Sequence, residues 1–216
     1  MMDFTAAREE MVRRQIAGRG LTDDALLDAM RAVPRELFVP ADQAAFAYQD
    51  RPLPIEAGQA ISQPAMVAEM IAAAGIKRGH KVLEIGAGSG YAAAVMGRIA
   101  AEVIGIERHA ELVRLASARL DQLGYTNVRI LHGDGSAGLA EEAPFDAILI
   151  AASGRHVPEP LKRQLAIGGA LVMPIGAVDG PQDLIKVTRT GENAFTSEDL
   201  GAVRFVPLIG AEGWPE

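Results

Sequence analysis

The residues best suited to chemistry lie in a glycine-rich segment, Lys81–Tyr91, with the sequence KVLEIGAGSGY. Four or five strand-forming residues lead into a turn, and a helix follows. Gly86 and Gly88 allow a sharp turn that a ligand can approach closely, and Gly90 allows close packing of the helix against the strand. In an open parallel sheet, ligands bind beyond the carboxyl ends of the strands, where this turn would lie. The segment predicts a cofactor site, although a simple tight turn is the alternative because glycine spacing alone is a weak signal.

Two acidic positions further along the chain support a cofactor site. Glu107 ends the next predicted strand about twenty residues later, where a carboxylate can accept hydrogen bonds from both hydroxyls of a ribose. An acid at the start of a helix is the alternative role for Glu107. Asp134, flanked by Gly133 and Gly135 after the following strand, can accept a hydrogen bond from the exocyclic amine of adenine, with an ordinary Asp-Gly turn as the alternative. Three such strand ends in succession favour a bound adenosine.

Glu84, inside the strand before the glycine turn, distinguishes between adenosine cofactors. A pyrophosphate at a helix N-terminus would be poorly served by a neighbouring carboxylate, whereas a cofactor with an ammonium and a sulfonium would tolerate it. The residues therefore favour S-adenosylmethionine over NAD. A dehydrogenase is disfavoured further because no second domain and no catalytic His or Lys motif is evident.

These positions are carried by a predicted α/β fold, a doubly wound, mostly parallel, Rossmann-like sheet with N-terminal helices and a C-terminal strand extension. Apolar runs alternate with helical stretches such as Tyr91–Ala100 and Ala110–Leu123, which implies parallel pairing with right-handed crossovers. The predicted strands are Lys81–Ile85, Glu102–Glu107, Val128–His132, Phe145–Ala151, Gly169–Pro174 and Asp183–Thr188, with Val203–Leu208 as an additional strand.

A single domain is expected over residues 1–216, because a chain of this length supports one core. Residues 1–64 are assigned to a helical N-terminal part and an active-site loop, 65–190 to the cofactor-binding core and 191–216 to the C-terminal extension. Thr22–Asp24 supply N-cap chemistry for a second helix, which Pro34 closes. The proline-marked segment Phe38–Pro64 is predicted to be irregular, and loops of that length are often functional.

Composition narrows the classes of partner. The net charge of −7 disfavours a nucleic-acid ligand, and the absence of cysteine excludes disulfides and thiolate metal sites. The four histidines are isolated from one another, so no metal is expected. No apolar run is long enough to span a membrane, and the first residues lack a signal-peptide core. We therefore expect a cytoplasmic protein without membrane attachment, and a monomer by default.

Beyond these motifs, the chain resembles the protein-L-isoaspartate O-methyltransferase family over nearly its whole length. The glycine turn is common to methyltransferases, but the ISQP stretch (Ile61–Pro64) and VRFVPL (Val203–Leu208) are typical of this family. The other matching segments are AVPRELFVP (Ala32–Pro40), AYQDRPLPI (Ala47–Ile55), GQAISQPAMVAEM (Gly58–Met70) and APFDAILIAA (Ala143–Ala152).

The resemblance implies methyl transfer from S-adenosylmethionine to the free α-carboxylate of L-isoaspartyl residues in damaged proteins or peptides. S-adenosylhomocysteine would be the product, and the ester would cyclise to a succinimide without further help. By position, the resemblance implies Ser62 as the catalytic residue. The implied cofactor residues are Ile61, Glu84, Gly86, Gly88, Ser89, Glu107, Arg108, Gly133, Asp134 and Gly135, and the implied substrate residues are Pro54, Ala60, Gln63, Val203 and Arg204.

A carboxylate is already a nucleophile near neutral pH, so Ser62 is interpreted as an orienting hydrogen-bond donor and not as an activated serine. Its alternative role is the N-cap of the following helix, although Gln63 would be the nearer cap if Pro64 is the first helical residue.

Two positions depart from the family pattern. Ala60 stands where the family usually has threonine, and Ser153–His156 replaces a usually alanine-rich stretch. Two other functions therefore stay open from the sequence. One is a methyltransferase of the same fold acting on another carboxylate or a small molecule, and the other is a cofactor-binding module without catalysis.

Overall fold

The computed structural model describes residues 3–215, and nine strands in this range form two sheets. Two short strands, β1 (Leu53–Pro54) and β2 (Ala60–Ile61), pair only with each other. The central sheet contains β3 Lys81–Ile85, β4 Glu102–Glu107, β5 Val128–His132, β6 Phe145–Ile150, β7 Leu165–Gly176, β8 Gln182–Arg189 and β9 Phe195–Val203.

The strand order β5-β4-β3-β6-β7-β8-β9 places β3 between β4 and β6. Pairing is parallel from β5 through β7 and antiparallel for β7–β8 and β8–β9. The chain therefore winds outward from β3 to β5 and then returns to the other side of β3. This reversal leaves a crevice at the carboxyl ends of β3 and β6, which is where doubly wound sheets bind ligands.

Six α-helices lie within residues 3–215: α1 Phe4–Met11, α2 Asp24–Ala32, α3 Pro64–Ala74, α4 Tyr91–Gly97, α5 Ala110–Gln122 and α6 Glu159–Arg163. The chain continues from α1 through a π-helical turn and a 3-10 turn. The Asp23 side chain accepts a hydrogen bond from the Leu26 N–H at 2.8 Å and so caps α2, as predicted. Pro64 occupies the first turn of α3, where its missing N–H costs nothing.

The central strands are apolar on both faces because helices cover both sides of the sheet. Neighbouring residues of β3 show this: Val82 packs into the core shared with the N-terminal helices, and Leu83 into the opposite core under α6. The same alternation along β4 and β6 gives two hydrophobic layers separated by the sheet. Helices on both faces leave the carboxyl ends of the strands as the open side of the sheet.

The predicted fold class is confirmed. The first three predicted strands of the central sheet agree with β3, β4 and β5, and Phe38–Pro64 is irregular apart from 3-10 turns and the β1–β2 pair. The additional strand predicted over Val203–Leu208 is wrong, because β9 ends at Val203. After that residue the Phe205 N–H donates to the Gln182 side chain, and the Val206 carbonyl accepts from the Ser153 N–H at 2.7 Å.

β9 escaped prediction because it is an exposed edge strand with the polar sequence FTSEDLGAV. Its pairing with β8 places part of residues 191–216 in the same sheet as the core. In the described part of the chain, no helix combines the length and apolar character needed to cross a membrane.

Candidate active site

A cavity opens at the carboxyl ends of the central strands and encloses about 1030 Å³ of empty space, counting its open mouth. One wall is formed by the glycine turn (Gly86–Gly90), of which residues 86–89 line the cavity, together with the ends of β4 and β6. The facing walls are the serine loop, Gln59–Ser62, and the C-terminal segment, Val206–Ile209.

The cavity brings together most of the residues predicted from the sequence. Those lining it are Ala60, Ile61, Ser62, Glu84, Gly86, Gly88, Ser89, Glu107, Arg108, Gly133 and Gly135. Five predicted residues lie outside the lining: Pro54, Gln63, Asp134, Val203 and Arg204.

The glycine turn requires its glycines for two different reasons. Gly86 and Gly88 have φ values of 80° and 54°, in the left-handed region that side chains disfavour. Gly90 also has a positive φ, and a Cβ there would lie 3.0 Å from the Cβ of Ala116 in α5. Close packing at Gly90 was predicted between the following helix and the strand, whereas the close approach in the structure is to α5.

Glu107 ends β4 and is buried, with each carboxylate oxygen accepting one backbone hydrogen bond. Oε2 accepts from the Gly88 N–H and Oε1 from the His109 N–H, both at 2.9 Å. These bonds fix the carboxylate between the glycine turn and the start of α5. Each oxygen keeps a further lone pair, so Glu107 supports local structure and can still accept two hydrogen bonds from a ligand.

Glu84 lies at the base of the same cavity and is almost completely buried. Burial raises the pKa of its carboxyl to about 8, and the negative charge of Glu107 contributes to the rise, although a hydrogen bond from the Ala93 backbone opposes it. Its Oε2 has no hydrogen-bond partner in the described part of the chain. A buried oxygen without a partner is costly, so Glu84 would be stabilised by a cationic or hydrogen-donating ligand in this cavity.

The segment after β5 has a divided role. Gly133 and Gly135 line the cavity, and a Cβ on Gly135 would come within 2.7 Å of the Ile85 side chain. The Asp134 carboxylate instead accepts backbone hydrogen bonds from Ser136 and Ala211, both at 2.8 Å. Asp134 therefore holds the chain just beyond the C-terminal segment, and its predicted role with adenine stays a prediction.

Ser62 is half-buried at the wall of the cavity, one residue before Gln63, which is the N-cap position of α3. The Gln63 side chain makes no capping hydrogen bond. The Ser62 carbonyl accepts a hydrogen bond of 2.7 Å from Arg35 Nη2. The serine side chain is thus free of the capping role that was its alternative.

The predicted substrate residues are spread around the cavity. Ala60 lines it and pairs across β1–β2 with the exposed Pro54. Val203 ends β9 opposite Gln182, and Arg204 is exposed. The residues of VRFVPL that reach the cavity are its last three, Val206–Leu208.

Some residues that line or support this cavity were not predicted from the sequence, and Ser153, from the segment Ala151–His156 that the resemblance places around the substrate, has a supporting role that was not predicted. Tyr91, the first residue of α4, lines it, and so does His109. Ser153, in the stretch that departs from the family pattern, anchors the C-terminal segment through its backbone to Val206 and Leu208. Arg35 lies behind the serine loop. The last two contacts join residues far apart in sequence, so no local pattern signals them.

Among residues 3–215, no cluster of three His, Asp or Glu side chains could hold a metal ion. The polar side chains that line the cavity include hydrogen-bond donors such as Ser62 and Arg108 and the acceptors Glu84 and Glu107, a set that suits an organic ligand with polar groups of both kinds.

Comparison with known proteins agrees with this geometry. Residues 6–213 match the family model described as protein-L-isoaspartate(D-aspartate) O-methyltransferase. A protein-L-isoaspartate O-methyltransferase from Methylorubrum populi is 56% identical over 208 residues, covering 96% of this chain and 97% of the relative. A second relative, protein-L-isoaspartate O-methyltransferase 2 from Pelobacter propionicus, is 54% identical over 207 residues, covering 96% of this chain and 92% of the relative.

Solved structures give the same result. A protein-L-isoaspartate O-methyltransferase superposes with a TM-score of 0.86 at 28% identity, covering 95% of this chain and 67% of the other. A Plasmodium falciparum protein assigned to the same enzyme type, solved in complex with S-adenosyl-L-homocysteine, gives 0.81 at 28% identity, with 94% and 98% coverage. The extent of the family match and the identity to the bacterial relatives show that this chain belongs to the protein-L-isoaspartate(D-aspartate) O-methyltransferase family.

Proposed function

We propose that this protein transfers the methyl group of S-adenosylmethionine to the free α-carboxylate of L-isoaspartyl residues, releasing S-adenosylhomocysteine. Family membership supports the reaction. The observation that carries it is that Glu107, suited to a ribose, and Ser62, suited to a carboxylate, line one cavity. Donor and acceptor can therefore meet in one site.

The acidic residues of the cavity fit this cofactor. Glu107 is held by two backbone N–H groups with lone pairs left for the two ribose hydroxyls. The unpartnered Oε2 of Glu84 suits the ammonium of the methionine part, which would favour the ionised carboxylate. Ile61, Gly86, Gly88, Ser89, Arg108, Gly133 and Gly135 complete the cofactor set that we propose from the cavity lining.

The bound cofactor supplies an electrophilic methyl group on a positively charged sulfur. The chain has to orient the incoming carboxylate and align its oxygen with that methyl group. We assign Ser62 the role of donating a hydrogen bond to the substrate carboxylate. Within residues 3–215, no histidine or carboxylate is hydrogen-bonded to the Ser62 hydroxyl, so an activated nucleophilic serine is not supported.

Apolar residues around the reacting groups limit the access of water. Ile61, Leu149, Val206 and Leu208 line the cavity. A carboxylate that loses part of its hydration is a stronger nucleophile, and a sulfonium protected from water has fewer side reactions. The serine loop and the C-terminal segment would thus surround the isoaspartyl group.

Methyl transfer from labelled S-adenosylmethionine to a peptide containing L-isoaspartate, beside its L-aspartate twin, tests the proposal. We expect label on the isoaspartyl peptide alone. Ser62→Ala should lower kcat at least tenfold, while Ser197→Ala, on the exposed strand β9, should leave it unchanged. Cofactor binding without label on either peptide would overturn the proposed substrate and leave the family assignment intact.

We further propose damaged cytoplasmic proteins or peptides as the partners. The cysteine-free sequence is compatible with a reducing compartment. Fractionation of cells with compartment markers tests the location, and labelling of aged cell extracts by the purified protein tests the partners.

A further inference from the structure

Arg35 is a fully buried arginine in the 3-10 turn Arg35–Phe38. Within residues 3–215, no carboxylate lies within salt-bridge distance of its guanidinium. Its Nη1 has no hydrogen-bond partner at all in that range. A buried charge without an opposite charge is expensive, so the position calls for an explanation beyond filling space.

The guanidinium joins two irregular segments of the N-terminal part. Nε donates to the Ala47 carbonyl and Nη2 to the Ser62 carbonyl, both at 2.7 Å. The second bond fixes the peptide group that immediately follows the Ser62 side chain. The planar fork of arginine can hold two acceptors at a set angle, which the ammonium of lysine cannot.

The face of the same guanidinium contacts the cofactor side of the cavity. Arg35 Cζ lies 4.6 Å from the centroid of the Tyr91 ring, which is a cation–π distance. Tyr91 is the first residue of α4, directly after the glycine turn, and it lines the cavity. Its ring is held from another side by Phe38, whose centroid is 5.6 Å away in an edge-on arrangement.

We propose that Arg35 is a positioning residue that sets the spacing between the serine loop and the glycine turn. The inference rests on the proposed function, because this spacing fixes the distance between the substrate carboxylate at Ser62 and the methyl donor at the glycine turn. A displacement of about 1 Å in such a reaction can cost about 100-fold in rate. Arg35 acts through Ser62 and Tyr91 and does not itself line the cavity.

The chain contains a matched control for a purely structural arginine. Arg189, at the end of β8, also donates to backbone carbonyls, with Nη1 2.6 Å from the Leu165 oxygen and Nη2 2.8 Å from the Glu192 oxygen. Its Cζ also faces an aromatic ring, that of Phe195, at 6.0 Å. Arg189 lies outside the cavity lining. Its removal therefore measures how much stability is lost with an arginine that joins backbone carbonyls, while the cavity stays unchanged.

The experiment compares Arg35→Lys, Arg35→Met and Arg189→Met with the unchanged protein, each well below its own melting temperature. We expect kcat for the isoaspartyl peptide to fall tenfold to 100-fold in both Arg35 variants, with cofactor affinity changed less than threefold. Arg35→Lys should retain more activity than Arg35→Met, since it can keep one of the two carbonyl contacts. Arg189→Met should lower the melting temperature and leave kcat within twofold.

Hydrogen exchange provides a readout that does not depend on turnover. In the Arg35 variants, the amides of residues 59–67 should exchange faster than in Arg189→Met, whichever peptide the enzyme accepts. If the unchanged protein fails to methylate the peptide, the proposed function fails while the exchange result still tests Arg35. Unchanged kcat and exchange in a folded Arg35→Lys, or unfolding of both Arg35 variants, would overturn the positioning role.

Discussion

Acidic residues at the two ends of the central strands have different partners. At the amino end, Glu142 lies 2.7 Å from Lys81 Nζ and 2.5 Å from Arg129 Nη2, and Glu102 contacts the same two bases at 3.8 and 3.4 Å. At the carboxyl end, Glu84 is buried with an unpartnered oxygen, and Glu107 is held by backbone N–H groups. One group of acids is neutralised by the chain itself, and the other is not.

This difference separates carboxylates that are paired with basic side chains from carboxylates that have no basic partner and lie where a ligand can reach them. Partly exposed pairs such as Lys81–Glu142 contribute little to stability because water screens them. A buried carboxyl with a perturbed pKa in a cleft is a signature of a functional site. The buried, unpaired acids therefore mark the carboxyl end of the sheet as the end that binds a ligand.

The largest effect expected from this comparison is a pH dependence caused by Glu84. Its folded pKa, about 8, lies above the ordinary value of 4.5. The contribution of Glu84 to the stability of the cofactor-free protein should therefore be fully present below pH 4.5 and be lost as the pH rises to about 8, a loss of at most about 5 kcal/mol. Urea denaturation between pH 5 and 9 measures this loss. Glu84→Gln should abolish it and make the cofactor-free protein more stable at pH 8.

Glu142, at the amino end, provides the control for that measurement. Hydrogen bonds from Lys81 and Arg129 lower the pKa of its carboxyl, so its contribution is lost as the pH falls through acid values. Glu142→Gln should leave the dependence of the free energy of unfolding on pH unchanged between pH 5 and 8. An unchanged slope in Glu84→Gln instead would mean that Glu84 is ionised in the folded protein.

The second prediction uses the two ends of one strand, β4. Glu107→Ala should weaken S-adenosylmethionine binding about 100-fold or more, because two hydrogen bonds to an ionised group are worth about 1.5–3 kcal/mol each. Glu102→Ala removes the acid at the other end of β4 and should leave the affinity unchanged. Calorimetric titration of both variants measures the difference, and equal affinities would exclude Glu107 from the cofactor site.

The sequence predicted the part of the molecule that follows local rules. Strands β3 to β5 and the glycine turn agree with the prediction because buried parallel strands are apolar runs and the turn needs glycines with positive φ. The predicted cofactor residues other than Asp134 line one cavity because consecutive parallel strands end on the same side of a sheet.

The remainder depends on contacts between distant residues. Asp134 holds Ala211, 77 positions later, and Ser153 holds Val206 and Leu208. Arg35 is far in sequence from Ser62 and Tyr91, so its burial leaves no periodic signal. The exposed strand β9 has the polar composition of a loop, which hydrophobic patterning cannot distinguish from one.

A smaller effect is expected from Arg119, which ties the region before the serine loop to the glycine turn. Its Nη2 lies 3.0 Å from Glu56 Oε1, and its Nη1 donates to the Ser89 carbonyl at 3.5 Å. Arg119→Met leaves the Glu56 carboxylate without this pairing. The free energy of unfolding should fall by about 1–2 kcal/mol. Exchange of the amides in residues 53–61 should accelerate more than in Arg129→Met, which removes a base at the amino end.

The smallest effect is expected at the amino end itself. Lys81→Met removes one base from the charge network of Glu102, Arg129 and Glu142, whose side chains are all partly exposed. The free energy of unfolding should fall by less than about 1 kcal/mol, and 1 M salt should remove most of the difference because the Debye length is then only about 3 Å. Methyl transfer should keep its rate. A loss of methyl transfer in a folded Lys81→Met variant would show that the two ends of the sheet are coupled. It would contradict the conclusion that only the carboxyl end takes part in the reaction.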